Sequence, residues 1–135
     1  MKKMSKNLKY FSGLAMLFSV IFFHYLYTNL IIEHYENILA YAVIYGVSLF
    51  ISGLILGYND PVRGSRLDLG YYYHLVTFII VNFVGLISLL AAMGFNTYNL
   101  LIGTLSILPW TLGLFVHYYF SNKSIKGFDK QSAFE

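Results

Sequence analysis

The sequence predicts an all-α membrane protein: a bundle of four transmembrane helices, arranged as two antiparallel hairpins with both termini cytoplasmic. Three observations predict it. Only 11% of the 135 residues are charged while 58% are hydrophobic, whereas a soluble domain carries about 25% charge. A chain this poor in charge cannot cover a water-facing surface. Four apolar runs each reach the roughly 20 residues that a helix needs to cross a ~30 Å hydrocarbon layer. The basic residues, finally, all fall on one side of those runs.

The runs are taken in order. The first extends from about Tyr10 to Ile32, behind a basic segment, residues 1–9, that holds Lys2, Lys3, Lys6 and Lys9. It is longer than the 7–15 residues of a signal-peptide core, and no small-residue cleavage pattern follows it. It reads as a retained anchor. The second run covers about Ile38 to Tyr58, after the acidic connection Glu33-His34-Tyr35-Glu36-Asn37. Asn59-Asp60-Pro61 stops it, because proline cannot continue a helix and disfavours helical backbone just before itself. The third covers about Leu69 to Met93, with Ser65 and Asp68 resembling a capping box ahead of it. Gly94-Phe95-Asn96-Thr97 reads as a tight turn into the fourth run, from about Tyr98 to Phe120. Residues 121–135 are polar and predict a loosely ordered tail. None of the four runs holds Lys, Arg, Asp or Glu.

Charge orients the crossings. The N-terminal lysines, Arg63 and Arg66 between the second and third runs, and Lys123, Lys126 and Lys130 after the fourth make up all nine basic residues. Four crossings put these three places on one face, which the positive-inside rule makes cytoplasmic. Tyrosines cluster at the run ends, as rings with one wet and one oily edge do. The net charge of +3 therefore reports topology, and nucleic acid is excluded as a partner. No cysteine is present, so disulfides, thiolate metal sites and cysteine nucleophiles are excluded too.

Helices in lipid associate through close packing at small residues and through interhelical hydrogen bonds. On the fourth run, Asn99, Gly103, Ser106, Trp110, Gly113 and His117 recur at spacings of four and three. On the third, His74, Phe78, Val81, Gly85, Ser88 and Ala92 do the same. An antiparallel pair matches residues whose numbers add to one constant. That rule sets Ala92 by Asn99, Ser88 by Gly103, Gly85 by Ser106, Phe78 by Gly113 and His74 by His117. Asn82 falls level with Pro109, near the Leu105 carbonyl that the proline leaves short of a donor, and is placed to bond across the seam. The second run carries Ala42-x-x-x-Gly46 and Gly53-x-x-x-Gly57, and the first offers Ser12, Ala15 and Ser19. No single register pairs those two sets, so they are open to other helices or another subunit.

Several chemistries can be weighed against blander roles. His74 and His117 at one depth could ligate a b-type haem or a metal ion, with Gly113 leaving room for a flat ring. They could equally be interfacial histidines bonded to each other, to water or to tyrosine. His24, and His34 beside Glu33 and Glu36, offer zinc or copper ligands but match no metal-binding spacing. Arg63 and Arg66 could grip a lipid phosphate or serve topology alone. Proton-coupled transport needs an ionisable group within the membrane, and here only histidine is available in the runs. No serine–histidine–carboxylate set, carboxylate pair, H-E-x-x-H or phosphate-binding loop supports an enzyme. The spacings of small multidrug transporters and of glutathione-linked membrane enzymes are missing. The sequence thus points to a non-enzymatic accessory, assembly or stabilising subunit of a complex in the cell (inner) membrane, binding no cofactor. Its expected partners are the bilayer and either other membrane subunits or further copies of itself. A small-solute or drug transporter and a b-haem or metal-binding electron carrier are the alternatives.

Overall fold

The computed structural model describes residues 4–61 and 69–127, with side chains for 4–61 and 70–120. Four helices make up the described residues: α1 (Lys6–Ile31), α2 (Ile38–Tyr58), α3 (Leu69–Met93) and α4 (Thr97–Gly127). Each contains a stretch long and apolar enough to cross a membrane. The sequence-predicted Arg63 and Arg66 phosphate contacts and the Ser65–Asp68 capping box lie outside the described residues.

Two helix ends differ from the expected ones for local reasons. α1 begins at Lys6 because Ser5 caps it: the Ser5 hydroxyl accepts from the Leu8 N–H at 3.0 Å, satisfying one of the donors left over at a helix start. α4 runs seven residues past Phe120, into the segment expected to be a loose tail. No proline or glycine interrupts 121–126, and extending an existing helix costs far less than starting one. Pro109 is accommodated inside α4.

The connections follow the chemistry of the chain. α2 stops at Tyr58, with Asn59 as its C-cap ahead of Asp60-Pro61. After α1, the His34 N–H donates to the Asn29 carbonyl at 2.9 Å and the Glu33 N–H to the Leu30 carbonyl at 3.4 Å. This is a Schellman cap, with Glu33 at φ 59° in the left-handed position that glycine normally fills. After α3 the equivalent job falls to Gly94, at φ 85°. Asn96 then caps α4 by accepting from the Asn99 N–H at 2.8 Å. The buried Asn99 side chain donates to the carbonyls of Met93 and Gly94 at 3.0 and 2.8 Å, tying the start of α4 to the end of α3.

Contacts between helices run in a line. α1 packs on α2 and on α3, α3 packs on α1 and α4, and α2 meets α3 over a small area. Among the described residues α4 touches α3 alone. The α1–α2 contact pairs large groups with small ones: Phe11 lies against Gly53, and Ser19 shares a hydrogen bond with Tyr45 at 2.8 Å. Phe22 stacks flat on the same Tyr45 ring, centroids 4.4 Å apart. The register that small-to-small matching fails to find is therefore an aromatic-to-small one. Along α1 and α3, Phe11 meets Tyr73 at 4.8 Å, and the Phe23 ring fills the space where Gly85 lacks a side chain.

Polar side chains on the helices mostly bond within their own helix. Ser12, Ser48, Ser52, Thr77, Asn82, Thr104 and Thr111 each donate to the carbonyl four residues earlier. In an apolar medium an unsatisfied polar group costs several kcal/mol, and this back-bonding lets hydroxyls sit on otherwise apolar faces.

Candidate functional site

Two polar clusters stand out from the apolar background, both at the end of the molecule where α1 begins and α4 finishes its apolar stretch.

The first is built on Asp60, which is 3% exposed and lies just past the end of α2. Its Oδ2 accepts from the Ser5 hydroxyl and, at 3.2 Å, from the Tyr73 hydroxyl. Ser5 is the cap of α1 and Tyr73 belongs to α3, so one carboxylate ties three helices. Asn7 adds a second link by donating to the carbonyls of Leu56 and Asn59, at 3.1 and 2.9 Å, at the close of α2. Beneath these bonds lies an apolar cluster of Leu8, Phe11 and Tyr73, flanked by Leu56 and Val76. Tyr73 serves both layers: its ring packs on Phe11 while its hydroxyl reaches Asp60. A buried carboxylate is tolerated only where donors meet it, and hydrogen bonds to an ionised acceptor are among the stronger ones. The sequence reading missed this cluster. It treated Asp60 as part of a helix stop, and nothing in a single sequence places Ser5 and Tyr73 beside it.

The second cluster lies where α3 meets α4. The rings of His74 and His117 have centroids 4.9 Å apart and are tilted by 55°. Tyr71 lies 6.1 Å from His117 and 5.4 Å from Tyr118. His74 is exposed and His117 is half-buried. The Nδ1 atom of His117 is enclosed and has no hydrogen-bond partner among the described residues.

Between its two ends the α3–α4 seam departs from the expected pairing. Gly103 is buried, and the place of its absent side chain is filled by Leu86 and Leu89, one turn apart, in place of Ser88. Gly85 faces Phe23 of α1 and not Ser106. The Ser106 hydroxyl bonds the Gly103 carbonyl of its own helix. Gly113 has nothing within 4 Å of its missing side chain, so Phe78 does not fill it, and Ala92 is exposed. Asn82 donates to the Phe78 carbonyl, within α3. The cause is shared: α3 is packed on two sides, and a stripe assigned to one neighbour is divided between α1 and α4. Periodicity gives a face of a helix but cannot say how many partners share it.

The remaining expectations are placed as follows. On α2, Gly53 meets Phe11 and Gly57 approaches the Tyr73 ring at 3.9 Å, whereas Gly46 faces open space; Ala42 is half-exposed. His24 is exposed on α1, and His34, Glu33 and Glu36 are exposed in the first connection. Among the described residues no three His, Asp or Glu side chains gather closely enough to hold a metal ion.

The fold and these clusters define an all-helical protein with four helices suited to crossing a membrane. No protein-family model, curated protein or solved structure matches the chain.

Proposed function

We propose that the chain is an accessory subunit of a larger complex in the cell membrane, crossing it as two antiparallel hairpins with both termini cytoplasmic and binding through its helix faces. One observation carries this. A side chain lies where Gly85 and Gly103 lack their own and another touches the same place at Gly53 and Gly57, but among the described residues Gly13 of α1, Gly46 of α2 and Gly113 of α4 have nothing within 4 Å there. Glycine inside a helix costs about 0.8–1.0 kcal/mol relative to alanine. Within this chain the three open helical glycines recover nothing. A transmembrane helix of a second protein, approaching closely at a small residue, recovers the cost where it docks. Gly46 and Gly113 lie on α2 and α4, the outer members of the row of helices, and Gly13 lies on α1.

Gentle purification followed by native mass spectrometry tests the proposal. The expected result is co-purification of a second membrane polypeptide, released by Gly46→Leu or Gly113→Leu while helicity and melting stay unchanged. A monomer alone in mild detergent overturns it, and a homo-oligomer replaces the second polypeptide with further copies of this chain.

A second reading, proton-coupled transport of a small solute, draws support from Asp60. Its buried carboxylate joins three helices, and a proton arriving there would loosen bonds on all of them. Substrate-dependent proton uptake into proteoliposomes, abolished by Asp60→Asn, is the result this reading requires.

A further inference from the structure

We propose that His74 and His117 form a site for one divalent d-block cation of the zinc or cobalt kind, held between α3 and α4. This site is independent of the accessory-subunit reading. Imidazole nitrogen suits such ions, and the two rings already stand at a ligating separation. With metal–nitrogen distances of about 2.0–2.1 Å, two imidazoles on adjacent corners of a tetrahedron hold their ring centres roughly 5 Å apart. Two ligands on opposite sides of one ion, as across a haem, hold them roughly 6.4 Å apart by the same lengths. The observed 4.9 Å between ring centres is nearer the spacing of adjacent corners than that of opposite sides.

The state of His117 supports the assignment. Its Nδ1 is enclosed without a hydrogen-bond partner among the described residues, and a buried polar atom left unsatisfied is costly. A cation shared with His74 would use that lone pair. His74 is exposed, so an ion has a route to the pair from outside. Tyr71 lies against both the His117 and the Tyr118 rings. Two imidazoles leave the other corners to water or to a donor from a partner. Such a site holds an exchangeable ion, in contrast to the four protein ligands of a structural zinc site.

The experiment uses the full chain in lipid nanodiscs, titrated with Co2+ alone and then displaced by Zn2+. The expected result is one equivalent of Co2+ with the visible absorption of a tetrahedral ion. His74→Gln and His117→Gln should each weaken binding by more than the roughly 10–100-fold that loss of an outer-shell partner causes. His24→Gln and His34→Gln should leave it unchanged. In the unaltered protein, bound Zn2+ should shield His74 and His117, and not His34, from a histidine-acylating reagent. That readout stands even if a histidine variant fails to fold. No binding beyond that of empty nanodiscs overturns the site, as does binding that survives both substitutions or follows His34. A Soret band from protein made in haem-replete cells also overturns it, and would make the two histidines haem ligands.

Discussion

The two neighbours of α3 are attached in different ways. Toward α1 it has an interlocked contact: Phe11 on Tyr73, Phe23 in the hollow at Gly85, and the Asp60 carboxylate bonded to both helices. Toward α4 it is fastened at the ends, by Asn99 on the Met93 and Gly94 carbonyls and by His74 against His117, with Gly103 as a close approach between them. In lipid, apolar area alone does not drive helices together, and what counts is close packing and interhelical bonding. By that measure α1, α2 and α3 form one unit, to which α4 is attached through α3 alone among the described residues.

The largest test of this contrast is truncation of a ring on each side. Phe11 is 2% exposed, whereas Trp110 of α4 is 48% exposed. Emptying a buried aromatic site costs about 3–5 kcal/mol, so Phe11→Ala should lower the melting temperature in detergent steeply. Trp110→Ala removes a larger side chain yet should change stability by about 0.5 kcal/mol or less, as exposed positions do. Equal losses would mean that α4 is held as firmly as α1.

Next in size is Asp60→Ala, which strands the half-buried Ser5 hydroxyl and the hydroxyl of the buried Tyr73. Each unsatisfied donor costs about 1–3 kcal/mol, and the loss should appear as early fraying of α1 from the N-terminal side. Hydrogen exchange at residues 6–12 reads this directly. Tyr73→Phe, which keeps the ring and removes one donor, should cost about 1 kcal/mol. A neutral Asp60→Ala would show that the three helices are joined by the apolar layer alone.

These two tests also separate what the sequence discloses from what it hides. Length and apolarity announce the four helices, because satisfying a backbone in oil leaves few alternatives. Asn59-Asp60-Pro61 announces the end of α2 and Gly94 the turn into α4, because their backbone demands are local. The partner of Gly85 is not announced. Its spacing fits the stripe of His74 and Ser88 as well as it fits a hollow for Phe23, and only the position of α1 decides. Asp60 is hidden for the same reason: its donors come from residues 55 positions before it and 13 after it.

Glycine substitution sharpens the comparison at smaller cost. A side-chain carbon added at Gly85 would come within 2.8 Å of the Phe23 ring, and overpacking of this kind costs about 1–3 kcal/mol. Gly85→Val should therefore destabilise the isolated chain, while Gly113→Val, facing open space, should leave it unchanged or slightly firmer. The order of the two in SDS titration is the result to watch. A reversal would put α4, and not α1, on the Gly85 face.

The smallest effect lies in the two turns that close the α1–α2 and α3–α4 pairs. Both need one residue with a left-handed backbone; one uses Gly94 at φ 85° and the other Glu33 at φ 59°. A side chain in that conformation costs roughly 1–2 kcal/mol, offset by the greater freedom that glycine loses on folding, about 0.5–1 kcal/mol. Glu33→Gly should thus raise stability by about 0.5–1 kcal/mol, and Gly94→Ala should lower it by a similar amount. Both are readable as opposite shifts in melting temperature measured in one detergent. The Schellman bonds of His34 and Glu33 to Asn29 and Leu30 involve backbone alone, so they survive the substitution and isolate the conformational term. If Glu33→Gly gave no gain, the glutamate side chain would have to stabilise its own strained backbone, and the firmness of the α1–α2 pair would depend partly on its turn.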